Sequence, residues 1–157
     1  MSADIVAYAD GSSLGNPGPG GWAVIVQYPD GSRRTFSGGE SHSTNNRQEI
    51  TAATQALLAL PAGIPALVFC DSEIVVKGVN DWRPSWEARG WKNAQRKPVV
   101  NRDLWEKLFA AKDSKPLAAL RWTRGHAGNE MNEAVDKLAR AEAERRRWGV
   151  ADEENAR

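Results

Sequence analysis

Residues 4–21 read DIVAYADGSSLGNPGPGG, and the fold is decided there. Asp4 to Asp10 is an apolar run that ends on an acid followed by Gly11, the pattern of a buried strand stopping at a turn. Gly11 to Gly21 holds five glycines and two prolines, a tight connection into a second strand. Trp22 to Tyr28 and Arg33 to Gly39 flank Pro29, Asp30 and Gly31, a hairpin tip, so three antiparallel strands follow. Thr44 is the expected N-cap of a helix running to Leu60, where Pro61 and Gly63 stop it; Ile50, Ala53, Thr54 and Leu57 form its apolar face. Ala66 to Cys70 is a continuous apolar run ending on Asp71, which reads as a central strand covered on both faces, with a short helix from Glu73 to Asn80 after it. Beyond a Trp-rich, basic stretch at 81–102 come a helix from Asn101 to Lys112, a strand from Leu117 to Thr123 and a helix from Asn129 to Arg147. This order predicts an α/β fold: a five-stranded mixed sheet, three strands antiparallel and two parallel, with helices on both faces. One domain is expected over about 1–147, with a basic protrusion at about 82–102, and a polar tail over 148–157 to which no function is assigned.

The 157 residues, 41% hydrophobic and 26% charged, are enough for one buried core and exclude a wholly disordered chain. The net charge is +1, so affinity for nucleic acid must come from a local patch. Between Lys77 and Arg102 the cations Lys77, Arg83, Arg89, Lys92, Arg96, Lys97 and Arg102 face only Asp81 and Glu87; the rest of the chain is therefore net acidic. A single cysteine, Cys70, excludes an internal disulfide and a multi-cysteine zinc site. No signal-peptide pattern and no bilayer-length apolar run is present, so a soluble cytoplasmic protein is expected.

Four acids stand where water-facing acids are not expected. Asp10 and Asp71 each end an apolar strand at the sheet edge where open α/β sheets bind ligands. Glu49 shares a helical stripe with Ala53, Ala56 and Leu60, and Asp136 borders the stripe of Met131, Val135, Leu138 and Ala139. Singly, such acids cap turns or face solvent. Four of them together repel unless cations neutralise them, and hard oxygen donors favour Mg²⁺ or Mn²⁺ over Zn²⁺. Two such ions suit phosphodiester hydrolysis. The Gly-rich run lacks the Lys-Ser/Thr ending of a nucleotide-binding loop.

The segments Asp10-Gly-Ser-Ser-Leu-Gly-Asn-Pro-Gly-Pro-Gly-Gly, Thr44-Asn-Asn-Arg-Gln-Glu49, Asp71-Ser72, Gly125-His-Ala-Gly, and Asn132-Glu133 with Asp136, in this order and at these separations, resemble the bacterial type 1 ribonuclease H family. The resemblance runs from about Ile5 to Ala141. It implies a ribonuclease H-like fold and a Mg²⁺-dependent endoribonuclease that cuts the RNA strand of RNA/DNA hybrids, leaving 5'-phosphate and 3'-hydroxyl ends by in-line attack of a metal-activated water. Asp10, Glu49, Asp71 and Asp136 match the family's ligands for two Mg²⁺ ions, with Mn²⁺ as a substitute, and His126 matches its proton-transfer or product-release histidine.

The same resemblance sets Gly11, Ser13 and Asn16 against the minor groove, where the 2'-hydroxyl marks RNA, and Thr44, Asn45 and Asn46 against the DNA strand. Trp82 is the tryptophan expected to touch DNA; Trp86, Trp91 and Trp105 read equally well as a packing platform. Arg89 matches a phosphate-contacting arginine, and Lys92, Arg96 and Lys97 the basic protrusion. Glu73 departs from the glutamine common at its position, and Glu87 interrupts the protrusion where a cation is often found, which should weaken hybrid affinity. His42 reads as a surface residue. No obligate protein partner is implied, and a monomer is expected. The alternatives are a hybrid-binding module without catalysis, which the four intact acids disfavour, and another nuclease on the same sheet, such as a resolvase, which the basic segment and Thr44-Asn45-Asn46 disfavour.

Overall fold

A computed structural model describes residues 5–124 and 129–149. The elements are β1 (Ile5–Ser13), β2 (Gly18–Gln27), β3 (Arg33–Ser43), α1 (Asn45–Ala59), β4 (Ala66–Cys70), α2 (Glu73–Lys77), a π-helical turn (Gly78–Trp82), α3 (Arg83–Ala88), α4 (Arg102–Ser114), β5 (Ala118–Trp122) and α5 (Glu130–Arg147). The sheet order is β3-β2-β1-β4-β5. β1–β2 and β2–β3 pair antiparallel, β1–β4 and β4–β5 parallel, as the chain order predicts.

Strand alternation sorts the residues between two layers. Ala7, Ala9, Val24, Val26, Val68 and Leu120 point to one face and pack with Ile50, Ala53 and Leu57 of α1 and Trp105 and Leu108 of α4. On the other face Ala23 and Ile25, with Tyr8 beside them, meet Met131, Val135 and Ala139 of α5. The approach of α5 is close: a Cβ on Gly21 would lie 2.2 Å from the Ala139 carbonyl oxygen and 2.6 Å from the Ala143 nitrogen. Farther along α5, buried Arg146 bonds Glu142 at 2.9 Å, and Glu142 accepts the Ser37 hydroxyl of β3 at 2.9 Å.

Several boundaries differ from expectation. β1 does not stop at Asp10, because Gly11, Ser12 and Ser13 pair with Trp22, Gly21 and Gly20: the glycines there are strand residues, with only the hairpin tip outside the ladder. What ends near Asp10 is the parallel pairing with β4, whose last pair is Ala9 with Cys70. β3 continues past Gly39 to Ser43. β4 is fully covered on one face only: Ala66, Val68 and Cys70 are buried while Leu67 and Phe69 are half-buried, Phe69 stacking on Tyr8 at 5.5 Å. The helix expected to end at Asn80 continues through the π-helical turn into α3, where Trp86 packs against Trp91, Trp105 and Phe109. No helix among the described residues is long and apolar enough to cross a membrane.

Candidate metal centre and its rim

Three elements bring the first carboxylates together. Asp10 lies on β1 where its pairing with β4 ends, and Asp71 is the first residue beyond β4. Glu49 is the fifth residue of α1, a helix that starts where it does because the Thr44 side chain accepts the Arg47 N–H at 3.2 Å, the predicted cap. That helix rests on β1 because residue 11 is glycine: a Cβ there would lie 2.2 Å from the carbonyl carbon of Gln48. One oxygen from each of Asp10, Glu49 and Asp71 lies within 4.8 Å of the others. Asp136, on α5, stands near enough for its charge to act on both Asp10 and Asp71, while the acids whose oxygens converge are Asp10, Glu49 and Asp71. On its outer side Asp136 pairs with Arg140 at 2.9 Å.

The electrostatics follow from this crowding. Burial, then the charges of Asp71 and Asp136, hold the Asp10 carboxyl far above the usual carboxylate range. Burial also raises Asp71, a shift opposed by its interaction with Asp10. Glu49 is pushed up to about 7 by burial and then by Asp71, against the pull of the Ser72 hydroxyl. Burial, and then the neighbouring acids, push the Cys70 thiol up, leaving it un-ionised and inert. Buried acids that repel one another gain most from a cation, and an all-oxygen donor set fits a hard divalent ion.

The rim of this cluster is organised by hydrogen bonds. Asn16 Oδ1 accepts the N–H of Asn45 at 2.8 Å and the Ser13 hydroxyl at 3.1 Å; these side chains join the β1–β2 connection to the start of α1. Asn46 is exposed, Thr44 half-buried, and Gly11 buried beneath α1. His126 lies in 125–128, outside the described residues. His42 is exposed, as expected.

The basic segment has a different internal logic from its sequence count. Arg83 is engaged by Glu87 at 3.0 Å and by Asp113 at 2.7 Å and lies over the Phe109 ring at 4.7 Å. Glu87 is therefore the partner of Arg83 at the base of the segment rather than simply a break in a row of cations. Lys77 pairs with Glu73. Arg102 pairs with Glu106 and stacks on Trp91. Arg89, Lys92, Arg96 and Lys97 remain exposed, on a loop folded around Asn93, whose side chain accepts the N–H groups of Gln95 and Lys97. Trp82 is 37% exposed and lies against Trp86.

Sequence reading missed Arg47 and Gln48. Arg47 donates to Asn101 Oδ1 at 3.1 Å and pairs with Asp103 at 3.2 Å, tying the first turn of α1 to the start of α4. Gln48, fully buried, donates to Glu40 at 2.8 Å and to the Ser43 hydroxyl at 2.9 Å. Neither side chain carries a periodicity signal; a glutamine beside an inward-facing acid was the available hint.

The RNase H family model matches residues 2–144. Ribonuclease H of Xanthomonas campestris pv. campestris (strain 8004) is 46% identical over 147 residues, covering 94% of this chain and 97% of its own. Ribonuclease H of Alkalilimnicola ehrlichii is 48% identical over 133 residues, covering 85% and 90%. Among solved structures, LC9-RNase H1, a type 1 RNase H with the type 2 active-site motif, superposes with a TM-score of 0.79 at 31% identity, covering 93% of this chain and 74% of that one. Sheet order, the acidic cluster and these relatives agree: the chain is a bacterial member of the RNase H family, a ribonuclease H nuclease.

Proposed function

We propose that this protein is a Mg²⁺-dependent endonuclease that hydrolyses the RNA strand of RNA/DNA hybrids by a two-metal-ion mechanism, leaving 5'-phosphate and 3'-hydroxyl ends. The observation that carries this reading is the convergence of Asp10, Glu49 and Asp71 within 4.8 Å, with Asp136 near enough for its charge to act on Asp10. Divalent ions bound by these four acids supply positive charge to the attacking and leaving oxygens. Because burial and then the neighbouring acids favour protonation of Asp10 and Glu49, loading the site would require those protons to leave. His126 is assigned proton transfer or product release.

The substrate reading rests on the rim. Ser13, Asn16 and Asn45 form one hydrogen-bonded unit beside the acids; with Gly11, Thr44 and Asn46 they are assigned the minor groove and the DNA strand, where close polar contact tells a 2'-hydroxyl from hydrogen. Arg89, Lys92, Arg96 and Lys97 are assigned backbone phosphates, and Trp82 a DNA contact. Glu73 is exposed and paired with Lys77, so its contact with the groove is weak or made through water. The catalytic domain is taken as 1–147 with its protrusion at about 82–102, acting as a cytoplasmic monomer with Mg²⁺ as the working ion and Mn²⁺ as its substitute.

The test is cleavage of a labelled RNA/DNA hybrid with and without Mg²⁺, beside single-stranded RNA, duplex RNA and duplex DNA of the same sequence. Mg²⁺-dependent cutting confined to the RNA of the hybrid is expected. Tight hybrid binding without cleavage would mean a binding module, and cutting of duplex or branched DNA another nuclease.

A further inference from the structure

Trp122 is the last residue of β5 and pairs with Cys70 of β4, so it stands beside Asp71 at the edge of the acidic cluster. Its indole N–H donates to the main-chain oxygen of Asp71 at 3.1 Å, which fixes the ring, yet the residue is 42% exposed. A large aromatic surface is thus held rigidly at the mouth of the site without being buried. The Arg124 guanidinium lies over that ring, 5.9 Å from its centroid. Arg124 is exposed, and no ion pair engages it among the described residues. Its main chain is anchored as well, since its carbonyl oxygen accepts the Asn132 side-chain amide of α5 at 3.3 Å.

An exposed guanidinium held near an indole face keeps N–H donors available to solvent, the group that best recognises a phosphate. The exposed cations Arg89, Lys92, Arg96 and Lys97 follow α2 and α3 in the chain, whereas Arg124 is an exposed cation on a separate segment, two residues beyond the strand end that pairs beside Asp71. We propose that Trp122 and Arg124 form a phosphate subsite for the nucleic-acid strand, next to the acidic cluster on its β5 side. This rests on the hybrid-nuclease reading above and adds to it a contact outside the rim and the basic loop.

The test measures equilibrium binding of an RNA/DNA hybrid, in Mg²⁺ buffer at several salt concentrations, by full-length Asp10→Asn protein and by the same protein carrying Arg124→Gln, Arg124→Lys, or Arg34→Gln. Arg34 lies at the start of the edge strand β3, on the other side of β2 from β1, and serves as the control cation. The expected result for Arg124→Gln is binding about threefold to fivefold weaker, the scale of one exposed charge contact, with a salt slope shallower by about one. Arg124→Lys keeps the charge and the slope but loses part of the affinity; Arg34→Gln changes neither. In the enzyme with Asp10 intact, Arg124→Gln raises KM with kcat nearly unchanged. Unchanged affinity and slope in Arg124→Gln overturn the subsite, as do equal losses in Arg124→Gln and Arg34→Gln, which would report general charge. If the folded Asp10→Asn parent does not bind hybrid at all, the hybrid-nuclease reading fails and takes the subsite with it.

Discussion

The main-chain N–H of Ser13 donates to Asn45 Oδ1 at 2.8 Å across 32 residues of sequence, so the tip of the β1–β2 hairpin and the first residue of α1 move as one piece. Asn16 completes the tie by accepting the Asn45 N–H. Asn16→Ala leaves that N–H without its partner and frees the hairpin tip. The expected cost is about 1 kcal/mol of stability in urea unfolding, with a rise in KM for hybrid larger than the fall in kcat, since the acids themselves are untouched.

Gly11 is a packing position. Gly11→Ala places a methyl carbon on the backbone of Gln48 and Glu49, and backbone cannot rotate away as a side chain can. Loss of about 3 kcal/mol is expected, read from the urea midpoint. Glu49 shifts with its helix, so hydrolysis falls by more than the folded fraction does.

Without divalent cations the cluster makes stability depend on pH. Glu49 moves from an ordinary 4.5 to about 7 in the folded chain, and Asp10 and Asp71 are also raised. A carboxyl with a raised folded value contributes stability that is fully present below its unfolded value and is lost as pH climbs through the folded one. In EDTA, Tm should therefore fall between pH 5 and pH 9. The fall should be smaller in Asp10→Asn, which removes one buried charge, and smaller again when Mg²⁺ is added to the unsubstituted protein. Scanning fluorimetry across that range checks all three; an equal decline in Asp10→Asn and the unsubstituted chain would sink the account.

Arg96 sits at φ 64°, a left-handed conformation that costs a side chain about 1 kcal/mol. Arg96→Gly relieves it and removes an exposed cation in the same step. Stability should rise by about 1 kcal/mol, while hybrid KM rises and the salt slope becomes shallower by about one. Thermal unfolding and salt-titrated kinetics on the same sample separate the two effects.

The parts of this molecule legible in its sequence were those written in period and punctuation. Ala66–Cys70 followed by Asp71, the Thr44 cap, and the inward position of Glu49 on α1 all showed there, and they sufficed to bring the acids together. The strand boundaries did not. Gly11, Gly20 and Gly21 read as a loop because glycine has no preference of its own, yet each belongs to a β-ladder whose neighbours require the missing side chain. The basic segment holds one relationship the sequence did not display: composition counts charges, but Arg83 is also engaged by Asp113, a pairing between residues 30 apart in sequence that no local pattern announces.

The contact of Gly21 with Ala139 and Ala143 reaches beyond the sheet it belongs to. Asp136 stands one turn before Ala139 on the same rigid helix, so the height of α5 above β2 also sets how far that carboxylate reaches toward Asp10. A single hydrogen atom at position 21 thus acts as a gauge for the fourth acid. A residue with no chemistry of its own calibrates the site from the neighbouring strand, and a change there would shift Asp136 without altering the identity of any acid.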